Sequence, residues 1–458
     1  MSLFHPPAPP RQPDNQSALQ TVRQMRRCPI SALKHQTYRM KMGRINLLTR
    51  TVWLINDRPL VRQILADQAD RFPKSALMRA VLEPLVQGSS FITNGDHWRR
   101  RRRIMDLAFG QASLRTVFPL MRAAVDDMLA RVEDEADGRE FDINTEMAHV
   151  TADIIFRSVF SRPLTREEAE GIYRAFRVFQ KEMFLYGQAT IIRIPQIFLF
   201  FRLRRARRAA GEIRSYLDPL IRARLEAQAR GDAIPADDIL GTLMAVSDPE
   251  TRTKLSYDEL CEEIATLMLA GHETSSSTLG WSLYLLANAP DIQQRAAQEI
   301  ATVAADRPLE FADIKRLTLT RNIFREALRL YPPVPFMTRE TAKPEEMRGH
   351  RLKPGSMIYI SSWILHRSEQ NWTEPDAFDP DRFGRTETEE AQRTAYYPFS
   401  TGPRVCLGAG FAMQESTLIL AALLRRFHFA PVEGCNPKPI VRLSLRPEYE
   451  ILLRITKR

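Results

Sequence analysis

Cys406 stands in the run Phe399-Ser-Thr-Gly402-Pro-Arg404-Val-Cys406-Leu-Gly408. A cysteine thiolate is a strong metal ligand, and it needs surroundings that keep it ionised. Gly402 and Gly408 allow a tight turn and a close approach of backbone to a bound group, where a Cβ would clash. N–H groups freed by such a turn can point at the sulfur and disperse its charge. Arg404 offers a planar fork for a carboxylate, and Phe399 offers cover from water. A buried structural cysteine in a glycine turn is the plain alternative. Four specified neighbours around Cys406 argue against it.

A second pair with chemistry is Glu273-Thr274, inside Ala270-Gly271-His272-Glu273-Thr274-Ser275. A carboxylate beside an alcohol can carry protons to a reacting atom. His272 in the same run reads as a satisfied interior or edge residue. Glu326 and Arg329, three apart, share a helix face. Alone that is a weak signal, usually a surface ion pair. Here it ends in Tyr331-Pro332-Pro333 and precedes Asn371 to Phe383, which contains Arg382. Trp98 and Arg102, four apart, face one way at the head of a five-arginine run, Arg99 to Arg103. A solvated helix face accounts for the rest of that run. Arg339 and His366 complete the set of candidate cations.

These residues need elements to hold them. Ser256-Tyr-Asp-Glu259 is a capping box, and Pro290 stops the helix that it starts. The spacing predicts a helix over 257–289, about 33 residues and roughly 50 Å long. Gly271 costs about 1 kcal/mol there against Ala, and the run Gly-His-Glu-Thr predicts a local opening with the Thr274 hydroxyl turned inward. The flanks, Ile264 to Leu269 and Leu279 to Leu283, are those of a buried helix, so the polar run is not a surface cluster. A further helix is expected from Ala409 to Arg425. Gly408-Ala-Gly410 is no dinucleotide loop, because no strand precedes it and the third glycine is missing.

The Cys406 run resembles the haem-thiolate loop, F-x-x-G-x-R-x-C-x-G, of the cytochrome P450 superfamily. Ala270 to Thr274 resembles its oxygen-activation segment, Glu326-Ala-Leu-Arg329 its E-x-x-R element, Pro380-Asp-Arg382-Phe383 its P-E/D-R-F segment, and Trp98 to Arg102 its W-x-x-x-R helix. The five motifs stand in family order from Trp98 to Gly408. The resemblance implies one mostly helical haem domain with small β-sheets, after a Pro-rich lead-in at 1–20, so that 21–458 form the domain. It implies haem b with Cys406 as axial ligand, Phe399, Gly402, Arg404 and Gly408 around it, and Trp98, Arg102, Arg339 and His366 toward the propionates. Glu273 would relay protons, Thr274 would hold dioxygen or the water beside it, and Glu326, Arg329 and Arg382 would form a structural triad. The pocket would be lined by 75–92, 184–201, 266–270, 334–338 and 443–445, including Thr266, Ala270, Val334 and Phe336.

The implied reaction is monooxygenation, hydroxylation or epoxidation, of a lipophile such as a fatty acid or terpenoid. Peroxide-driven turnover, isomerisation and haem sensing are the rivals, and the intact Glu273-Thr274 pair speaks against them by resemblance. The segment after Cys406 is short and the four cysteines cannot hold a cluster, so electrons are expected from a ferredoxin and its NAD(P)H-dependent reductase. The net charge of +11 suits an acidic donor; the basic residues lie in separate places, which does not suit nucleic acid. Cys28, Cys261, Cys406 and Cys435 make no disulfide framework and fit a reducing cytoplasm. Residues 1–20 are polar and Pro-rich, without an apolar span, so no membrane anchor is expected and a monomer is the simplest state. One stretch is odd: Tyr186 to Phe201 turns apolar and is followed by Arg202-Leu-Arg-Arg. It reads either as a lid packed on its own pocket or as one that dips into a membrane surface.

Overall fold

The capping box forms as the sequence requires. Ser256 Oγ accepts from the Glu259 N–H at 3.3 Å, and the Glu259 carboxylate accepts from the Ser256 N–H at 2.9 Å. The helix it starts runs Tyr257–Ala287 and crosses the body of the protein. This is a computed structural model; it describes every residue except 1, 2, 48, 49, 192, 193 and 236.

In chain order the helices are α1 (Ala18–Arg27), α2 (Arg58–Arg62), α3 (Ala76–Val86), α4 (Gly95–Ala108), α5 (Gln111–Glu135), α6 (Ile143–Phe160), α7 (Arg166–Ile191) and α8 (Phe200–Arg230). They continue as α9 (Ile239–Ala245), α10 (Tyr257–Ala287), α11 (Pro290–Ala304), α12 (Thr318–Leu330), α13 (Ser362–His366), α14 (Glu389–Thr394) and α15 (Ala409–Arg426). The strands are short. β1 (Met42–Leu47), β2 (Arg50–Ile55), β4 (Met337–Glu340) and β7 (Met357–Ile360) form one sheet in the order β1-β2-β7-β4, with β2 and β7 parallel. β3 (Asp137–Asp142), β11 (Leu452–Lys457) and β8 (Phe427–Pro431) form another, while β5 (Glu345–Met347) with β6 (His350–Leu352) and β9 (Pro439–Val441) with β10 (Leu445–Pro447) are hairpins. The chain is mostly helical with small sheets, as expected.

α10 is the spine. From Ser275 to Ala287 every residue is buried, as suits a helix packed on all sides against α6, α12, α15 and β8. Trp281 stacks on Tyr331 at 3.8 Å between ring centres, fixing the end of α12 against it. The lead-in is part of this body. The Phe378 N–H donates to the Phe4 carbonyl at 2.8 Å, the Tyr331 hydroxyl to the Pro7 carbonyl at 2.8 Å, and Arg11 pairs with Asp376 at 3.0 Å. The boundary expected at residue 20 falls inside α1, which Ser17 caps.

Two local expectations change. α10 is continuous through Gly271 to Thr274, with no opened turn, and Thr274 Oγ1 donates back to the Ala270 carbonyl at 2.7 Å within it. The arginines after Trp98 are not a solvated face either. Arg100 pairs with Glu259 at 2.8 Å, Arg101 with Glu262 at 2.6 Å and Arg103 with Asp248 at 2.6 Å. They clamp α4 onto the first turns of α10 and the loop before it.

Candidate active site

Gly402 carries the turn beneath Cys406. Its φ is +72°, and a Cβ there would meet the Leu65 carbonyl at 2.3 Å. Gly408 differs: its φ is −83° and a Cβ would meet no protein atom, so its place in the run is not conformational. The Cys406 N–H donates to the Phe399 carbonyl at 2.8 Å, which closes the loop. Phe399 packs against the main core. Cys406 opens onto a cleft, yet protein surrounds it. Burial pushes its thiol up, while the Gly408 N–H and the charges of Arg102 and Lys74 pull the other way.

The opposite wall is α10. Ala270 is exposed although Met268 and His272 beside it are buried, and Thr274 lies one turn on along the same face. The Glu273 carboxylate accepts from the Gln180 amide of α7, and the guanidinium of Arg446 in β10 feels its charge. His272 is satisfied as expected: Nδ1 bonds the Met268 carbonyl at 3.2 Å, and its ring packs on Tyr173 and Phe176. Ser275, next to Thr274, donates to Glu415 of α15 and so ties this wall to the helix that follows Cys406. Of the expected pocket residues, Val334 is exposed and Phe336 half-buried, whereas the Thr266 hydroxyl is spent on the Glu262 carbonyl at 2.7 Å.

Cations gather at one side of the cleft. Arg404 lies 3.7 Å above the centre of the buried Trp98 ring and donates to Asn94 Oδ1 at 2.9 Å. The same Oδ1 accepts from the Lys74 backbone N–H at 3.1 Å. Ser75 Oγ donates to Thr338 Oγ1 at 3.0 Å, which brings Lys74 beside β4 and Arg339. Arg339 is buried, and among the described residues its one hydrogen bond goes to its neighbour's carbonyl, Thr338, at 2.9 Å. Arg102 donates to the Val405 carbonyl at 2.7 Å and pairs with Asp106. Among the described residues no carboxylate pairs with Lys74, Arg339 or Arg404. Burial and mutual repulsion push Lys74 well down and Arg404 down to about 9, and burial takes Arg339 down to about 10. Such a cluster is unfavourable until an anion joins it. A haem, with two propionates and an iron for the Cys406 thiolate, has the charge and the ligand chemistry that these residues lack.

His366 does not belong there. It is fully buried, Nδ1 bonds the Arg329 carbonyl at 3.1 Å, and Nε2 accepts from the Tyr397 N–H at 2.9 Å. Burial, with Arg329 and Arg367 nearby, holds it neutral, down to about 3. Both nitrogens are committed, so it cannot serve a propionate. The Glu326 triad does assemble. Arg329 Nε and Nη2 each reach Glu326 at 2.8 Å, and Arg382 Nε reaches it at 2.9 Å. Burial alone would raise Glu326, but Arg329 and Arg382 outweigh it and hold the carboxylate low.

The sequence matches the cytochrome P450 family over residues 6–455. This chain belongs to that family. It is 31% identical over 428 residues, 92% of its length and 90% of the relative's, to cyclooctatin synthase of Streptomyces melanosporofaciens. It is 30% identical over 443 residues, 95% and 94%, to pentalenene oxygenase of Streptomyces avermitilis. The haem domain of cytochrome P450DA superposes with a TM-score of 0.82 at 24% identity, covering 100% of this chain and 98% of that one, and shares its fold. The P450 is thus a haem-thiolate monooxygenase that takes O₂, a lipophilic substrate and electrons from redox partners. No helix among the described residues is long and apolar enough to cross a membrane.

Lys74, Gln180, Arg446 and Glu415 were not singled out from sequence. Gln180 and Glu415 carried a usable signal, each a polar residue on an otherwise apolar helix face, Phe176-Phe179-Met183 and Leu418-Ile419-Ala422. Lys74 carried none.

Proposed function

We propose that this P450 hydroxylates or epoxidises a terpenoid or similar lipophile, using electrons from a separate ferredoxin and reductase. The observation that carries the reading is the intact acid–alcohol pair on the cleft wall, with its acid held by Gln180. The names of two relatives, pentalenene oxygenase and cyclooctatin synthase, support a terpenoid over a fatty acid.

When bound, haem with a thiolate ligand would supply the oxygen-reducing, C–H-oxidising chemistry. The chain supplies the rest. Cys406 would hold the iron through its sulfur, with the Gly408 N–H bearing part of the sulfur charge. Lys74, Arg339 and Arg404 would bind the propionates, and Arg102 stands at the same edge. Glu273 moves protons inward from solvent, and Gln180 keeps its carboxylate aimed. Thr274 Oγ1 gives its hydrogen to Ala270 and keeps lone pairs to accept; letting go of Ala270 would free it to donate a hydrogen bond into the cleft. Ala270, Val334 and Phe336 exclude water around the substrate. The half-buried Arg102 donates to the carbonyl of the exposed Val405 beside the thiolate loop, and an electron would enter along this edge. An acidic ferredoxin in a reducing cytoplasm fits that basic edge.

The test is turnover of cyclic terpene hydrocarbons with a ferredoxin–reductase pair and NAD(P)H, set beside hydrogen peroxide alone. Product from the first and little from the second is expected. Thr274→Ala should lower product formed per O₂ consumed by about tenfold. Turnover with peroxide and none with any ferredoxin pair would refute the reading.

A further inference from the structure

Between α3, the first turn of α4, the middle of α8 and the first turns of α10 lies a cavity of about 1050 Å³, large enough for a small molecule. It is not the haem cleft: neither Cys406 nor Ala270, Glu273 or Thr274 lines it. The apolar stretch before Phe201 encloses nothing comparable, since Phe198 and Phe201 are 73% and 70% exposed; 192–193 of that stretch lie outside the described residues. Charge in the cavity lining sorts by exposure. Arg79, Glu83, His97 and Asp258 are exposed, and water satisfies them. Further in, Asp218 has Arg222 at 3.1 Å and the Tyr257 hydroxyl, and Glu262 has Arg101 at 2.6 Å.

Arg214 of α8 is the exception. It is half-buried, and burial pulls its guanidinium down. Its Nη1 caps the end of α3, donating to the Pro84 and Leu85 carbonyls at 3.0 and 3.2 Å. Among the described residues no carboxylate pairs with it, and Nε and Nη2 have no partner. The interior is left with one positive charge in excess. Gly211, one turn before Arg214, is the second observation. Glycine inside a helix weakens it, so it marks a bend, a positive φ or a close approach. None applies here: α8 is continuous, φ at 211 is not positive, and a Cβ there would meet no neighbouring atom within 4 Å. In Gly171 of α7, by contrast, the Tyr216 side chain takes the place of a Cβ. What Gly211 leaves is room, and it leaves it in the cavity wall.

We propose that this cavity binds a second small molecule, an amphipathic monocarboxylate, its carboxylate on the open edge of Arg214 and its apolar body beside Gly211 and Ile92. The planar fork of an arginine matches a carboxylate through two N–H groups. Asp218 and Glu262 in the same lining repel a further negative charge, which limits the ligand to one. Ile92 is buried, and the Tyr257 ring and Cys261 add apolar wall. Burial keeps the Cys261 thiol neutral, pushed up to about 11. The site is separate from the one where substrate is oxidised. The inference goes beyond the terpenoid reading and holds whichever lipophile is oxidised.

The experiment is equilibrium dialysis of labelled dodecanoate against the haem-loaded protein, with phenylimidazole saturating the iron so that the haem cleft is filled. One equivalent of dodecanoate should still bind. Gly211→Trp places an indole in the cavity and should abolish that binding while leaving the cap of α3 alone. Arg214→Gln should weaken it about tenfold. Dodecanol, the same body without the charge, should bind the parent protein about tenfold more weakly than dodecanoate. An unchanged reduced, CO-bound spectrum certifies the fold and haem of each variant. Absence of binding once the haem cleft is filled overturns the proposal. So does binding that Gly211→Trp leaves intact, since the carboxylate then sits elsewhere, on exposed side chains such as Phe198 and Phe201. Equal affinity for dodecanol and dodecanoate also overturns it, because Arg214 then reads no charge.

Discussion

Arg329 and Arg382 share one carboxylate in the core; Lys74, Arg339 and Arg404 gather at the cleft with none. Both clusters are built on arginine; the first is fully buried, while Lys74 and Arg404 of the second are half-buried at the cleft. In the first, Glu326 and a ring of backbone carbonyls satisfy the guanidiniums: Arg329 reaches those of His366, Pro375 and Ala377 at 2.7, 2.6 and 3.0 Å. That cluster is complete and therefore structural. The second is held together by neutral partners, Asn94, Phe91 and Thr338, and its charges repel. It is complete only with a ligand. The difference separates a staple from a binding site without any motif.

Glu326→Ala should give the largest effect. It strands two buried guanidiniums, at a cost of about 3–5 kcal/mol. Thermal unfolding of the apoprotein should show it, and little haem-loaded protein should be recovered. A stable, haem-loaded Glu326→Ala protein would erase the distinction drawn between the clusters.

Arg339→Gln/Arg404→Gln should act in the opposite sense. Haem loss, followed by transfer to apomyoglobin, should speed up about a hundredfold. The apoprotein should be no less stable, because repulsion is relieved. An apoprotein destabilised as far as the triad variant would show that these arginines are staples too.

Glu415 sharpens the comparison from the acidic side. It is buried, receives only the Ser275 hydroxyl, and its Oε2 has no partner. Burial pushes it up to about 8 from 4.5, with Ser275 opposing. A buried acid without a cation can escape by keeping its proton, which an arginine without an anion cannot do. The folded state binds the proton more tightly than the unfolded one. The stability it allows is therefore fully present below about pH 4.5 and lost as pH rises through about 8. Glu415→Gln should remove that slope, leaving the variant ~4 kcal/mol more stable than the parent near pH 8 and level with it near pH 4.5. Parallel Tm–pH curves for the two proteins would show that Glu415 is ionised throughout.

Lys74→Met should give the smallest change. The apoprotein should gain about 1 kcal/mol, and haem should leave a few-fold faster. Equal and opposite shifts in apoprotein Tm and haem retention are the signature to look for.

Much of this site was legible before folding. Ser256-Tyr-Asp-Glu259 and Pro290 bracket α10 because caps and stops are local chemistry, and the Cys406 run and Glu326–Arg329 are short-range patterns. Failures came where a role depends on what arrives from far along the chain. His366 has the right type and neighbourhood, but Arg329 and Tyr397 take its two nitrogens. Arg100, Arg101 and Arg103 are clamps only because Glu259, Glu262 and Asp248 fold opposite them. Gly402 and Gly408 look alike in sequence, and only the folded chain separates them, by φ and by the backbone that a Cβ at 402 would meet. Lys74 has no local mark at all; Asn94 and Thr338 recruit its segment from either side.

The hydrogen bond from Tyr331 to the Pro7 carbonyl has a consequence in time. Pro7 leaves the ribosome early, and its partner is made 324 residues later. At about 5–20 residues per second that is a wait of roughly 15–65 s. Gln12 can bond Leu33 and His35 early, but the stretch from Phe4 to Pro7 must wait until Tyr331 and Phe378 are in place before it can close over them. The beginning of the chain is thus among the last parts to settle, a strap drawn over a core already built.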